Sequence, residues 1–333
     1  MPIQNPGGIL SMGKKGRRAG KTGGDATAGD KAATKPKQGP GKARRERAAA
    51  QREIHARLDA LIAKLDVELR DVELFGALEE REDCPICFVP MPLKRNERAH
   101  VRCCGKTACM ACAFTSDRMG HNTCPFCRDP IVGFVGEAHK EVYDQQLRDR
   151  IELGDALAME ILAENFDLGM NGFQKDDVAA MRLWLRAAEL GHLPGLCALA
   201  RKYQTKFKNE GRPTFEQSMK FATAAAKKGS VEGHHILGKR ELVVLAGMDE
   251  TPLELERAEK LEKAVKHLEH AAIGGNVPSF ELLQKLQDRG AGNMYLFLDN
   301  DTFDELEAKH KEALALEWSE ERESYMAKKT KTS

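Results

Sequence analysis

Aromatic side chains are scarce in this 333-residue chain, at 6% with only 2 Trp and 4 Tyr, and few of them interleave its cysteines. A stacking platform of the kind that reads nucleic-acid bases is therefore not expected. No apolar run approaches the roughly twenty residues that a membrane span requires. The start, Met1-Pro-Ile-Gln-Asn-Pro, has neither the charged-then-apolar segment of a secretory signal nor the Met-Gly of a myristoylation site. Glycine-rich phosphate loops, serine-nucleophile patterns and paired-acid motifs are missing too, which argues against small-molecule catalysis. The expectation from these absences is a soluble intracellular protein, cytoplasmic or nuclear, with no membrane partner.

Net charge is also small, +1, but it is unevenly placed. Residues 1–50 hold 12 Lys/Arg against 3 Asp/Glu, or +9, leaving −8 on the remainder. The basic segment, with Lys14-Lys15-Gly-Arg17-Arg18 and Gly39-Pro-Gly41, has too few apolar residues to offset its ordering entropy, so residues 1–42 are expected to be a disordered tail. Its charge is the one feature expected to touch nucleic-acid phosphates or serve nuclear import.

Cysteine is almost absent outside one window. Of nine, eight fall in the order Cys84-Pro-Ile-Cys87, Cys103-Cys104, Cys109-Met-Ala-Cys112 and Cys124-Pro-Phe-Cys127, and only Cys197 lies elsewhere, where a core position is expected. A disulfide framework would need an oxidising compartment. Thiolate pairs two residues apart can grip one ion from a tight turn, and four such ligands close a tetrahedral site with no position left for catalysis. Two structural zinc ions are thus expected as the only cofactors.

The spacing, with gaps of 15, 4 and 11 residues, resembles the RING finger family over Arg81 to Pro130. That resemblance implies that Cys84, Cys87, Cys109 and Cys112 hold one zinc and Cys103, Cys104, Cys124 and Cys127 the other. Where the family commonly has Cys-Gly-His, this chain reads Cys104-Gly105-Lys106, and a protonated lysine cannot coordinate zinc. Cys103 is the favoured substitute, with His100 and His121 as competitors. A serial, zinc-ribbon pairing of the same cysteines stays open at this stage. By the resemblance, Ile86, Pro125 and Phe114 would form the dock for a ubiquitin-conjugating enzyme, Phe114 or Met119 standing in for a tryptophan this chain lacks there. Arg128 would bridge that enzyme and its ubiquitin, the catalytic role of a ligase that does no covalent chemistry itself.

Before the cysteines, Ile54, Leu58, Leu61, Ile62, Leu65, Leu69 and Val72 recur at three- and four-residue spacing and predict an amphipathic helix over 43–80, paired with a second copy as a coiled coil or packed back on the chain. After a connector over 131–150, Leu153-Gly154-Asp155, Leu190-Gly191-His192, Lys228-Gly229-Ser230 and Gly274-Gly275-Asn276 mark repeat boundaries. Leu162, Leu199, Leu237 and Leu283 sit eight residues beyond each glycine, and Ala187-Ala188, Ala225-Ala226 and Ala271-Ala272 precede the last three. Met181, Met219 and Val265 stand ten residues before those glycines. The units over 151–290 read as helix hairpins and resemble the Sel-one-like repeats, relatives of tetratricopeptide repeats. His192 belongs to a boundary, and His234-His235 is read as surface. Residues 291–333 are expected to supply a capping helix, started by Asp301 or Thr302 and carrying Phe303, Leu306, Leu314, Leu316, Trp318 and Tyr325.

The two resemblances together imply a mainly α protein, a small two-zinc cross-brace RING-type domain at 81–130 followed by an α-solenoid. They imply a ubiquitin ligase whose repeats hold a protein substrate or adaptor. The alternative is a zinc-stabilised interaction scaffold without ligase activity.

Overall fold

The computed structural model describes residues 40–113, 123–129, 137–206, 213–246, 254–290, 300–316 and 322–323. The basic tail up to residue 39, Phe114, Met119, His121, Pro130, Trp318 and Tyr325 lie outside the described residues. The described chain is mainly helical. Helix α1 spans Pro40–Glu68, strands β1 and β2 span Arg98–Val101 and Lys106–Cys109, and α2 spans Glu137–Glu152. Then follow α3 (Ala156–Leu168), α4 (Asp177–Glu189), α5 (Leu193–Lys206), α6 (Pro213–Lys227), α7 (Val231–Ala246), α8 (Glu254–Ile273), α9 (Val277–Gly290) and α10 (Asn300–Ala315). Among the described residues no helix is long and apolar enough to cross a membrane.

The hairpins are α3 with α4, α5 with α6, and α7 with α8, each packed on the next. Their boundaries repeat one turn. Gly191, Gly229 and Gly275 have φ of 85°, 84° and 84°, a left-handed backbone that glycine adopts without a Cβ penalty. In each, the two amides that start the turn donate back to the alanine pair: Gly191 N to Ala188 O at 2.9 Å and His192 N to Ala187 O at 3.1 Å, and likewise Gly229 and Ser230 to Ala226 and Ala225. This double bond satisfies helix-end carbonyls and sends the chain into the next helix. Gly154, with φ 80°, ends α2 in the same way, through Ile151 and Arg150, so α2 behaves as the second helix of a preceding half unit within the segment expected as a connector. The predicted core positions Leu162, Leu199, Leu237 and Leu283 are all buried, as are Met181 and Cys197.

Helix α1 buries Ile54, Leu58, Leu61, Ile62 and Leu65 in the same core as Met181, Trp184, Leu196, Phe221 and Ala225, so its stripe is covered by this chain's own hairpins. Polar pairs hold the register: Arg57 donates to Glu189 at 2.6 and 3.1 Å, Gln217 to Asp59 at 2.8 Å, and Lys227 to the Leu69 carbonyl at 2.7 Å. The helix stops at Glu68 rather than Glu80. Beyond it Leu74 packs on that core and Phe75 stacks among histidines of α7 and α8, contacts a continuing helix would not reach, and Val72 is left exposed.

His234 corrects the surface reading. It is fully buried because α7 lies between α6 and α8, and its Nδ1 faces His267 Nδ1 at 3.0 Å. His235, half-buried, bonds Ser279 Oγ at 2.8 Å. Helix α10 packs Leu306 against Leu268, Ala272 and Leu283, while Leu314 and Leu316 are exposed.

Candidate metal centre

The cysteines gather into two sets, Cys84, Cys87, Cys109 and Cys112 in one and Cys103, Cys104, Cys124 and Cys127 in the other, with the sulfurs of each set within 4.8 Å of one another. Along the chain the sets interleave. Cysteine Sγ atoms ligating one tetrahedral zinc at 2.3 Å would stand about 3.8 Å apart. Cys104 and Cys124 are 3.8 Å apart, and Cys103 and Cys127 are 3.4 Å apart. The donor chemistry and the closed four-sulfur geometry fit zinc, two ions in all. His100, a candidate for the eighth ligand, is engaged elsewhere: its Nε2 lies 3.2 Å from Asp155.

Two short turns build the sets. In Cys84-Pro-Ile-Cys87-Phe88 the Cys84 amide donates to Val89 O at 2.9 Å and Phe88 N to Cys84 O at 2.8 Å. In Cys124-Pro-Phe-Cys127-Arg128 the Cys124 amide donates to Asp129 O at 2.8 Å and Arg128 N to Cys124 O at 3.0 Å. The same five-residue pattern thus folds twice into the same knuckle. The antiparallel pair β1 and β2, with Arg98 opposite Cys109, delivers the remaining ligands: Cys103 and Cys104 from its turn, and Cys109 and Cys112 from its end. Gly105 closes that turn at φ 72°, and a Cβ there would collide with Arg150 and with Asp155 at 2.7 Å.

Within each set one thiol is acidified and another is pushed the opposite way. Burial opposes ionisation of Cys84, yet amides of Cys109, Cys87 and Ile86 aimed at its sulfur win and bring it down to about 7. Cys124 likewise falls to about 7, burial being outweighed by the amides of Cys127 and Phe126. Burial and neighbouring thiols push Cys103 and Cys112 up. Four thiolates without a cation repel one another; a bound dication reverses that and deprotonates them all. Arg322 adds positive charge at the first set. Buried, it donates to Pro90 O at 2.7 Å and Val89 O at 3.1 Å and sits 4.0 Å from Cys87 Sγ; burial works against its charge, and the neighbouring thiols of Cys109, Cys87 and Cys84 raise its pKa.

The other residues singled out from sequence are divided. Ile86 is half-buried and packs, with Phe126, on the small core of Cys84, Met91, Ala108, Cys109, Ala111 and Cys112. Pro125 and Arg128 are exposed, and Phe114 lies outside the described residues.

Sequence reasoning missed what ties this module to the hairpins. Arg95, in a short 3-10 turn, pairs with Glu160, a fully buried carboxylate on α3 that also bonds His192 Nε2 at 2.8 Å. Burial would raise Glu160, but His192 and Arg95 hold it below the usual range. Asp155 receives His100 and Arg150 (3.0 Å) while capping α3 through the amides of Leu157 and Ala158. Arg102 lies 4.4 Å over the Tyr143 ring, and Arg81 reaches Ala313 O at 2.9 Å. One signal was available: His192 is the only histidine beside a boundary glycine.

Comparison of the chain with protein-family profiles, with curated proteins and with solved structures finds no match.

Proposed function

We propose that this protein is a RING-type ubiquitin ligase: the cysteine module receives a conjugating enzyme charged with ubiquitin, and the helical repeats, as a solenoid, bind the protein to be modified or an adaptor. What supports the reading is the interleaving of two four-cysteine sets around twin knuckles, with Pro125 and Arg128 exposed on the second. The chemistry belongs to the conjugating enzyme: a lysine amine attacks its ubiquitin thioester, an amide bond forms and the enzyme's thiol leaves. The ligase contributes orientation, holding the thioester in an attack-ready pose. Arg128, with a planar guanidinium that is always charged, suits a bridge between enzyme and ubiquitin. Because α1 covers the apolar side of α4 and α6, the repeats offer partners their remaining faces.

The test is self-ubiquitination of the full chain with a panel of conjugating enzymes. Wild type should carry two zinc ions and form chains. Arg128→Ala should keep both ions and lose at least tenfold in rate, while Cys84→Ser should lose metal and activity together. Two bound ions with no conjugates from any enzyme would leave the non-catalytic scaffold as the function.

A further inference from the structure

Phe88 and Arg128 each follow the second cysteine of a knuckle, and both stand at positive φ, 57° and 64°. Glycine occupies that region without penalty, whereas a bulky aromatic there is an outlier. The knuckle bonds involve only the backbone, the Phe88 amide to Cys84 O and the Arg128 amide to Cys124 O, so a glycine would make both turns at lower cost. Neither side chain recovers the difference inside the protein. Phe88 is 78% exposed, the most exposed large apolar side chain among the described residues. Arg128 is exposed and its guanidinium makes no hydrogen bond or ion pair among the described residues. An unfavourable backbone that persists without an internal reward points to a role in contact with another molecule.

The chemistry of that molecule follows from the neighbours. The middle residues of the two knuckles, Ile86 and Phe126, pack on one small core, so both knuckles rest on the same support. Around them lie the exposed ring of Phe88, the exposed Pro125 and an uncompensated guanidinium. Aromatic and arginine side chains are the types that carry most binding energy when a partner desolvates them. We propose that Phe88 is the aromatic anchor of the surface that receives the conjugating enzyme, entering an apolar pocket of that enzyme beside carbonyl or carboxylate oxygens that take Arg128. The proposal rests on the ligase reading and adds to it a contact residue, in the first knuckle, that supplies the aromatic surface the segment after Cys112 was expected to lend.

Phe88→Gly and Phe88→Asn test it, since both residues accept the left-handed backbone and neither offers an aromatic ring. In the full chain each variant should retain two zinc ions, Phe88→Gly should melt at or above the wild-type temperature, and both should lose at least tenfold in chain formation and in affinity for the enzyme the wild type uses. A wild type that forms chains beside variants within twofold of it overturns the anchor and leaves the ligase standing. Loss of metal from both variants also overturns it, by making Phe88 part of the knuckle's own stability. So does unchanged transfer accompanied by loss of wild-type self-association, which would make a second copy the occupant. A wild type that binds no conjugating enzyme removes the ligase reading and the anchor together.

Discussion

His234 and His267 meet Nδ1 to Nδ1 beneath Phe75, with His270 alongside bonding the Gly76 carbonyl at 3.0 Å and Lys263 adding positive charge against His267. Burial, then neighbouring positive charge, lowers His234 to about 3 and His267 to about 4. Unfolded, both would take up a proton near pH 6.5. Between that pH and their folded values the unfolded chain binds protons that the native one refuses, so stability is complete above 6.5 and declines as pH falls. Glu160 and Asp155, depressed carboxylates, extend the loss below their ordinary values of 4.5 and 3.8. Each refused proton is worth on the order of 1 kcal/mol per pH unit. Melting temperature measured from pH 7 to 4.5 should therefore fall less steeply in the double variant His234→Phe, His267→Leu than in wild type. A parallel decline in both would show that the histidines carry none of it. This pair was illegible in the sequence because His267 lies 33 residues after His234, on the facing helix of the hairpin, and neighbouring His235 made the first look like one of a solvated couple.

At the level of elements, the boundary glycines, alanine pairs and buried leucines were legible, because each is set by local backbone geometry that recurs with the repeat. A fourth periodic position was not. Four residues after each boundary glycine stand Ala158, Gly195, Gly233 and Ser279, three residue types that share small size and burial. A Cβ on Gly195 would lie 3.1 Å from Ala188 N, and one on Gly233 would lie 2.7 Å from Ala226 N and 3.0 Å from Ala225 Cβ. The first helix of each of these units therefore rests directly on the alanine pair before it. Alanine favours a helix over glycine by roughly 0.5–1 kcal/mol, while overpacking costs about 1–3 kcal/mol. Gly195→Ala should come out near neutral and Gly233→Ala destabilising by about 1–2 kcal/mol, read from urea midpoints at constant slope. Equal effects would mean that the two junctions relax alike. The partner of α1 was equally hidden, since its stripe of Ile54, Leu58, Leu61, Ile62 and Leu65 suits a coiled-coil mate as well as it suits α4 and α6.

The whole molecule joins the cysteine module to distant parts of the chain through polar contacts far apart in sequence: His100 to Asp155 across 55 residues, Arg95 to Glu164 across 69, and Arg322 to the Pro90 carbonyl across 232. Cysteine spacing could be read because ligand chemistry is local; these pairs could not, because nothing separates their side chains from any other surface charge until the fold brings them together. Metal should accordingly stabilise the hairpins as well as the knuckles. Stripping zinc with a chelator should lower the melting temperature followed by helical circular dichroism, by mass action on a ligand that binds only the native state. An unchanged helical transition after complete zinc removal would show the docking contacts to be energetically idle.

Helix α1 also sets a timetable. Its cover is made late, since Glu189 follows Arg57 by 132 residues and Lys227 follows Leu69 by 158. At about 5–20 residues per second on the ribosome, the stripe stays bare for roughly 7–30 s in every round of synthesis. The growing chain, not the finished protein, is then the form whose apolar surface invites chaperones, and slowing translation before residue 228 should lower the yield of soluble product.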